Sequence, residues 1–394
     1  MNDRFYIEVN CQQKNHEDER ICGDVFLSER VKEENRILAV LSDGMGHGVK
    51  ANILATLTAT MAINFTREHK DFNTIAEIIM NTLPVCSVRK ISYSTFTIID
   101  IDMNGKVYIL EYDNPQTIIL RGNKIYEPEW KCVMLESEKN KGKEIRSCRF
   151  YPEKGDRIIF CSDGIVQSGL GSKRFPFGWG HDAYSKFIKD TVLKKPYISA
   201  RKLAKKAVNM AVGHDNYHPK DDTSCASIYF REPRKLILVT GPPYEKKKDI
   251  DLAMAVHKYE GKKIICGATS AEIVARELGL EIRDSFEFTD NDLPPISYID
   301  GISLVTEGIL TLTKVTEILK AHNSNYNLGK GPADQIVELF LQCDEIHIII
   351  GTRINIAHQD PTLPIELEIR RTVVKRIVKL LEEKFLKEVS FEFI

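Results

Sequence analysis

Aspartates stand at four separated places in the first 232 residues, each beside a glycine or a second aspartate. Short carboxylates on rigid strand ends supply the oxygen ligands that Mg²⁺ and Mn²⁺ prefer. Two such cations about 3.5–4 Å apart clamp a water and orient it for in-line attack on phosphorus. The pattern therefore predicts an acidic pocket that binds two divalent cations and hydrolyses phosphate esters. The four places are Gly23-Asp24, Ser42-Asp43-Gly44, Ser162-Asp163-Gly164 and Asp221-Asp222.

Each pair taken alone has a simpler explanation, because a single Asp-Gly is most often an ordinary turn. Here both Ser-Asp-Gly triplets end an apolar run, Ile37–Leu41 or Asp156–Cys161, and the aspartate pair precedes a third run, Thr223–Phe230. Several carboxylates in one pocket would also repel each other strongly unless cations neutralised them. Their recurrence at strand ends favours one shared pocket over unrelated turns.

The elements that must position these aspartates are typical of a layered α+β domain. Phe5, Ile7 and Val9 alternate with polar residues, as in a half-buried strand. Runs of strands with helices grouped between them predict two sheets with helices outside. The other predicted strands are 37–41, 94–101, 106–112, 116–120, 156–161 and 223–230, and the predicted helices are 49–65, 75–83, 182–195 and 199–213.

The order of predicted elements changes after the Arg231–Arg234 segment, which we take as a domain boundary. Apolar strands then alternate with helical segments, and this alternation predicts a mostly parallel sheet covered on both faces. The sequence thus predicts two domains, 1–232 and an α/β domain over 235–394. The strands of the second are Lys235–Val239, Lys263–Cys266, Ile302–Val305 and Ile346–Ile350, and its helices include Ala271–Leu278, Thr311–Lys320 and Glu366–Lys387.

The first 232 or so residues resemble the metal-dependent serine/threonine phosphatases of the protein phosphatase 2C superfamily, in its SpoIIE-like bacterial branch. The most specific match is the loop Asp43-Gly44-Met45-Gly46-His47-Gly48, which is followed by a helix rich in small residues. The order of the other aspartate motifs along the chain agrees as well. The resemblance implies an αββα fold, a β-sandwich flanked by helices.

The resemblance also implies a role for each aspartate. Asp43 would bridge both metal ions with the Gly44 carbonyl beside it, and Asp24, Asp163 and Asp221 would complete the metal ligands. Asp43, Asp163 and Asp221 are the predicted catalytic residues. A metal-bridged hydroxide, at a site holding two Mn²⁺ or Mg²⁺ ions, would attack phosphoserine or phosphothreonine directly. Every ligand position is occupied, so we expect an active phosphoric monoester hydrolase.

Two departures from the family pattern stand near these motifs. Asp113-Asn114-Pro115-Gln116 replaces the usual Asn-Ala-Gly-His turn, and Thr223 replaces the usual methionine after the last aspartate pair. Neither change removes a predicted metal ligand.

The histidines near these motifs allow two interpretations each. His47 is either a proton donor to the leaving serine oxygen or a histidine that shapes its loop. His214 and His218 have the four-residue spacing of metal ligands on a helix, but Gly213 and Pro219 flank them and favour a polar loop. Cys161 and Cys225 are typical core residues. No cysteine lies in a Cys-x5-Arg phosphate loop, because the spacing occurs only from Cys225 to Arg231, within and just after the predicted strand Thr223–Phe230. No Walker motif and no Gly-x-Gly-x-x-Gly occurs, which argues against common nucleotide-binding chemistry.

A second candidate site lies in the C-terminal domain, at Gly267–Glu272. These small and hydroxylated residues join a strand to a helix, and a helix N-terminus attracts anions. An ordinary helix cap explains them equally well. The segment therefore predicts either a small-molecule or anion ligand or nothing beyond a cap.

Composition limits the remaining function classes. The net charge of −1 argues against a general binder of nucleic acid or anionic membranes. No run approaches the roughly 20 apolar residues of a membrane helix. Nine cysteines are scattered without a Cys-x-x-Cys, which fits reduced thiols. We therefore expect a cytoplasmic protein.

The first hypothesis is a protein phosphatase regulated by its C-terminal domain. By resemblance, its substrate would be a phosphorylated regulatory protein such as an anti-sigma-factor antagonist. The alternative is a ligand-sensing or partner-binding module with a vestigial metal site. A third reading, in which the C-terminal domain is itself an enzyme, stays open.

Overall fold

The computed structural model describes residues 5–31, 33–68, 72–82, 94–102, 105–135, 140–285, 287, 289–290, 292–322, 328–353, 363–385 and 387–394. Leu83, the last residue of one predicted helix, lies outside these ranges. The chain divides into two units, Met1–Glu232 and Pro233–Ile394. Each unit is described by itself below.

The first unit contains two antiparallel sheets. Six strands form one sheet in the order β2-β3-β4-β5-β9-β8, and five form the other in the order β1-β11-β10-β6-β7. The strands are β1 (Tyr6–Lys14), β2 (Asp24–Val31), β3 (Arg36–Gly44), β4 (Ser94–Asp102), β5 (Val107–Tyr112), β6 (Ile118–Arg121), β7 (Lys124–Ile125), β8 (Trp130–Met134), β9 (Glu144–Phe150), β10 (Arg157–Cys161) and β11 (Thr223–Arg231).

Three apolar layers hold this unit together. The inner faces of the two sheets pack on each other through residues such as Ile99, Phe160 and Ile228. The helices α1 and α2 cover the outer face of the six-stranded sheet, and α4 and α5 cover the outer face of the other. The expected αββα sandwich is therefore confirmed. The helices are α1 (Gly48–Arg67), α2 (Phe72–Thr82), α3 (Asp163–Val166), α4 (His181–Lys194) and α5 (Ala200–His214).

The small residues of α1 explain how closely it approaches its sheet. Ala51, Ala55, Ala59 and Ala62 are fully buried along one face of the helix. Spacings of three and four residues place them on a single stripe. This close packing brings the first turn of α1 against the end of β3, where the predicted metal loop lies.

The second unit is an open sheet with the order β14-β15-β16-β13-β12-β17-β18. Its five strands from β16 to β18 are parallel, and only the short β14 and β15 run antiparallel among the described strands, which confirms a mostly parallel sheet. The strands are β12 (Lys235–Thr240), β13 (Lys262–Cys266), β14 (Arg283–Asp284), β15 (Ser297–Tyr298), β16 (Leu304–Thr306), β17 (Glu345–Ile350) and β18 (Glu388–Phe393).

Helices cover both faces of this sheet. Apolar residues of α6 and α7 pack on one face, and those of α8, α9 and α10 pack on the other. Among the described residues, no helix is long and apolar enough to cross a membrane. The helices are α6 (Asp249–Lys258), α7 (Ala268–Leu278), α8 (Ile309–Ala321), α9 (Pro332–Gln342) and α10 (Leu363–Glu383).

Candidate active site

The β2–β3 pair places the first two predicted ligands side by side. The strands are antiparallel, and Asp24 lies directly opposite Asp43 in their register. Beyond Gly44 the chain turns into α1, and a Cβ at Gly44 would collide with the carbonyl of Ala51. Only glycine permits this close approach of strand and helix. The glycine in the Asp-Gly motif is therefore what keeps Asp43 at the edge of the first helical turn.

The β10–β11 pair positions the other two predicted ligands, Asp163 and Asp221. Asp163 is the first residue of α3, directly after β10, and the Ser162 amide donates to the Ser224 carbonyl at 3.1 Å. Asp221 immediately precedes β11, the antiparallel neighbour of β10. Gln167 donates to Oδ2 of Asp163 at 2.7 Å and so fixes that carboxylate. One end of the β2–β3 pair and one end of the β10–β11 pair therefore lie together.

A cleft of about 690 Å³ opens where these strand ends meet. Asp43, Asp163 and Asp221 all line it, whereas Asp24 is 2% exposed and lies behind Asp43. Gly44 is buried at the end of β3. The other lining residues are Met45, Gly46, His47, Ser94, Thr95, Asp113, Asn114, Pro115, Gln167 and Lys220. The turn that departs from the family pattern is therefore part of the same cleft.

Burial and the charges of neighbouring aspartates raise the pKa of every one of the four carboxyl groups. Burial is the main cause in each case, and it raises the pKa of Asp24 and of Asp221 to about 7. The pKa of Asp43 is raised by burial and then by the charges of Asp24, Asp163 and Asp221. The pKa of Asp163 is raised as well. Negative charge is costly here unless a cation balances it.

The donor chemistry of the cleft fits a hard cation. Both carboxylate oxygens of Asp24 are buried and accept no hydrogen bond of standard geometry, although the Ser162 and Ser224 hydroxyls lie near enough to favour the charged form. Carboxylate oxygens of this kind suit Mg²⁺ or Mn²⁺. As the side chains are placed, no three His, Cys, Asp or Glu residues of the described ranges are grouped closely enough to hold one ion.

Asp222 is a further acidic residue of the site. It is 1% exposed, and its Oδ1 accepts from the His16 amide at 3.0 Å. Its Oδ2 is buried and has no hydrogen-bond partner of standard geometry within the described ranges. Its charge contributes to the raised pKa of Asp24. The Asp-Asp pair is visible in the sequence, but the resemblance implied a ligand role for Asp221 alone.

A loop before β2 holds His47 at the rim of the cleft. Glu19 Oε1 lies 2.7 Å from His47 Nδ1, and the ring of His16 stacks on that of His47 with centroids 4.4 Å apart. The hydrogen bond to Glu19 raises the pKa of His47. Sequence reasoning missed this contact, because Glu19 stands 28 positions before His47 in a segment without periodicity.

The remaining candidates lie apart from this chemistry. His214 is the last residue of α5 and packs against Phe175 and Trp179, so the predicted polar loop is wrong for it. The prediction is correct for His218, which follows the helix and contacts Glu17. Cys161 and Cys225 are core residues, as expected.

Comparisons with known proteins concern the family of the chain and its fold. The family model described as stage II sporulation protein E (SpoIIE) matches residues 33–231, half of the chain's 394 residues. Asp24 lies before the matched segment. The comparison with curated protein sequences gives no significant match.

Solved structures of similar fold include the PP2C phosphatase domain and regulatory fragment of SpoIIE from Bacillus subtilis, with 17% identity and a TM-score of 0.47. That match covers 58% of this chain and 64% of the other, just under two thirds of its length. RsbX in complex with magnesium has 17% identity and a TM-score of 0.41, covering 58% and 98%. The catalytic domain of the phosphatase PstP with two manganese ions has 11% identity and a TM-score of 0.38, covering 58% and 100%.

Proposed function

Because the chain belongs to the SpoIIE family of PP2C-like phosphatases, we propose that residues 1–232 hydrolyse phosphoserine and phosphothreonine in a protein substrate, with two divalent cations as cofactors. The observation that carries the proposal is the meeting of three half-buried aspartates, Asp43, Asp163 and Asp221, in one cleft with Asp24 directly behind them. Strand ends far apart in the chain supply these carboxylates, which unrelated turns would not bring together.

The cations would be Mn²⁺ or Mg²⁺, because every donor in the cleft is oxygen. Asp24, Asp43, Asp163 and Asp221 would hold the two ions. The Gly44 carbonyl and water would complete the ligands, since no three His, Cys, Asp or Glu side chains in the described part of the chain are grouped around one point. When bound, the ions supply Lewis acidity toward the phosphate and activate water.

The protein's own residues would bind the substrate and handle its protons. Lys220 lines the cleft and brings a positive charge to it, with Nζ donating to the Leu170 carbonyl at 3.1 Å. A lysine there favours a dianionic phosphate over the neutral alcohol product. Glu19 keeps the proton of His47 on Nδ1 or on both nitrogens, so that Nε2 of the protonated ring can donate to the departing serine oxygen.

Hydrolysis of a generic aryl phosphate with Mn²⁺ tests this function. We expect turnover that chelation abolishes and that Asp43→Asn removes. Activity that survives chelation would contradict the proposal. Phosphoserine, phosphothreonine and phosphotyrosine peptides compared in the same assay then test the residue specificity.

The substrate and its regulation form the finer part of the proposal. We place a phosphorylated regulatory protein, of the anti-sigma-factor antagonist class, as the substrate, and the unit Pro233–Ile394 as the regulatory domain. A cytoplasmic location fits the free thiols of the described cysteines. A pull-down with Asp163→Asn or Asp221→Asn should capture the phosphorylated partner, and the wild-type chain should capture less of it.

A second candidate function is a binding module whose metal site is vestigial. The observation that favours it is that the described side chains, as placed, form no group of three ligands. Calorimetry separates the two, because the phosphatase should bind Mn²⁺ with loss of affinity in Asp43→Asn. If the site is vestigial, neither the wild-type protein nor Asp43→Asn should give a heat of Mn²⁺ binding.

A further inference from the structure

The parallel strands of the second unit end at one edge of their sheet, and the strand order reverses there. β13 and β16 lie on one side of β12, whereas β17 and β18, which come later in the chain, lie on the other. In open α/β sheets, ligands bind outside the carboxyl ends of the strands, near such a reversal. No chemistry has been assigned to this edge so far.

Two helices of this unit begin at that edge without a side-chain cap. Gly267 precedes α7 and Gly308 precedes α8, and neither has a side chain that could accept from the first helical amides. Gly267 has a φ of +132°, which favours glycine. A Cβ at Gly308 would lie 3.7 Å from the Cα of Gly267, so the two turns are adjacent. Two positive helix ends are therefore close together.

Buried hydroxyl groups without partners stand beside these turns. Ser270 is the third residue of α7 and Thr311 the third residue of α8, and both are fully buried. Neither hydroxyl oxygen has a hydrogen-bond partner among the described residues. Ser270 Oγ lies 3.6 Å from the Cβ position of Gly267, so it faces the turn. Unsatisfied buried hydroxyls are rare in proteins and point to a missing acceptor or donor.

Arginines bring positive charge to the same edge. Arg370 Nη1 lies 3.4 Å from the Gly351 carbonyl oxygen and would lie 2.5 Å from a Cβ at Gly241, over the ends of β17 and β12. Burial raises the pKa of Cys266 to about 12, and the charge of Arg370 opposes that rise, which puts the guanidinium near the end of β13 as well. Arg353, after β17, has a buried Nη1 with no hydrogen-bond partner in the part of the chain that the structure describes.

An acidic residue is also present, at the turn between β16 and α8. Glu307 is exposed, and its charge contributes to the raised pKa of Cys266. Its exposure leaves the carboxylate free to point into water, where solvent screens it. The buried hydroxyls of Ser270 and Thr311 and the buried Nη1 of Arg353 can all donate.

We propose that this edge binds the phosphate group of a small molecule, with Ser270, Thr311, Arg353, Arg370 and the first amides of α7 and α8 as donors. These groups supply more hydrogen-bond donors than the two oxygens of a carboxylate can accept from. A phosphate has more oxygens, and they accept hydrogen bonds from several directions. The segment Gly267–Glu272, for which the sequence left a cap and a ligand site equally open, forms part of it. The proposal is independent of the phosphatase function.

Calorimetric titration of the full-length chain with inorganic phosphate and pyrophosphate tests the site. The chain carries Asp43→Asn and the buffer contains a chelator, so that the acidic cleft without cations does not bind the probe. We expect saturable binding of both phosphates and none of acetate. Arg370→Gln should weaken binding about fivefold or more, and Ser270→Ala about twofold to fivefold, as expected for the loss of a charged and of a neutral hydrogen bond.

Arg371→Gln is the matched control, because Arg371 is the next residue of the same helix, is exposed, and lies over the ring of Phe393. It should leave phosphate binding unchanged. Circular dichroism of each variant shows whether it is folded, and Ser270→Ala keeps the test valid if Arg370→Gln is not. Absence of saturable phosphate binding, equal binding by all variants, or tighter binding of acetate would each overturn the proposal and leave the two turns as ordinary caps.

Discussion

Replacing Asp24 with asparagine should stabilise the metal-free protein at alkaline pH while abolishing its activity. Asp24 is almost completely buried, and both of its oxygens lack a standard hydrogen bond. Burial raises its pKa from 3.8 to about 7. A carboxyl group with a raised pKa in the folded state lowers stability progressively as the pH rises from about 4 to about 7, and the loss is complete above that.

The magnitude follows from the pKa. A rise from 3.8 to about 7 corresponds to about 4 kcal/mol above pH 7. Neighbouring aspartates share protons with Asp24 and the site relaxes, so we expect about 2 kcal/mol for the asparagine variant. For a unit of this size that is about 4–8 °C in melting temperature. At pH 5 the folded carboxyl is mostly protonated, and the gain should fall to less than half.

Thermal melts with chelator at pH 8 and pH 5 measure this effect. Asp18→Asn is the control, because Asp18 is exposed and should change the melting temperature little at either pH. Adding Mn²⁺ should raise the melting temperature of the wild-type chain more than that of Asp24→Asn. If Asp24→Asn melts at or below the wild-type temperature at pH 8, the carboxylate is already compensated within the fold and the reasoning fails.

Three further changes test other parts of the site. Glu19→Gln removes the carboxylate that raises the pKa of His47. The alkaline limb of the pH profile of kcat should therefore move to lower pH, with KM unchanged. If that limb does not move, His47 only shapes its loop. Gly44→Ala forces a Cβ against the Ala51 carbonyl, and we expect a loss of about 3 kcal/mol in urea melts and loss of Mn²⁺-dependent activity. Gly213→Ala, in α5, has open space at its Cβ position and no positive φ, and it should keep both stability and activity. Asp222→Asn should lower the pKa of Asp24 and so reduce the pH dependence of the metal-free melting temperature, with activity measured alongside.

The central strands of both units could be predicted from the sequence, because strands buried on both faces consist of apolar runs. β3, β10 and β11 have buried residues at nearly every position, and their ends locate the aspartates. β2, β8, β9 and β18 were missed, as were the two-residue strands β7, β14 and β15. β9 is an inner strand, but only three of its seven residues are buried. β2 carries Ser28, Glu29 and Arg30 in its middle, and β18 is a sheet edge that follows directly on a long helix. Edge strands bury too little for a clear alternation.

Within the site, too, the residues next to buried strands could be predicted and those in irregular loops could not. A motif at the end of a buried strand could be located, because the strand fixes where the motif must lie. The contact between Glu19 and His47 depends on the course of an irregular loop, which hydrophobic periodicity does not describe. Nor could the sequence separate Asp221, which lines the cleft, from Asp222, which is buried beside Gly23, since both are adjacent in one turn.

The stability cost of the acidic cleft and its expected affinity for cations have one physical origin. Carboxylates that are buried together and repel one another destabilise the metal-free fold by an amount that depends on pH, as the raised pKa values of Asp24 and Asp221 indicate. A cation that neutralises them recovers that free energy on binding, and protons compete with it for the same oxygens. Cation affinity should therefore fall steeply as the pH drops below about 7, while the metal-free protein becomes more stable over the same interval. Opposite pH trends of these two quantities in one chain would not arise if the carboxylates were scattered or individually compensated.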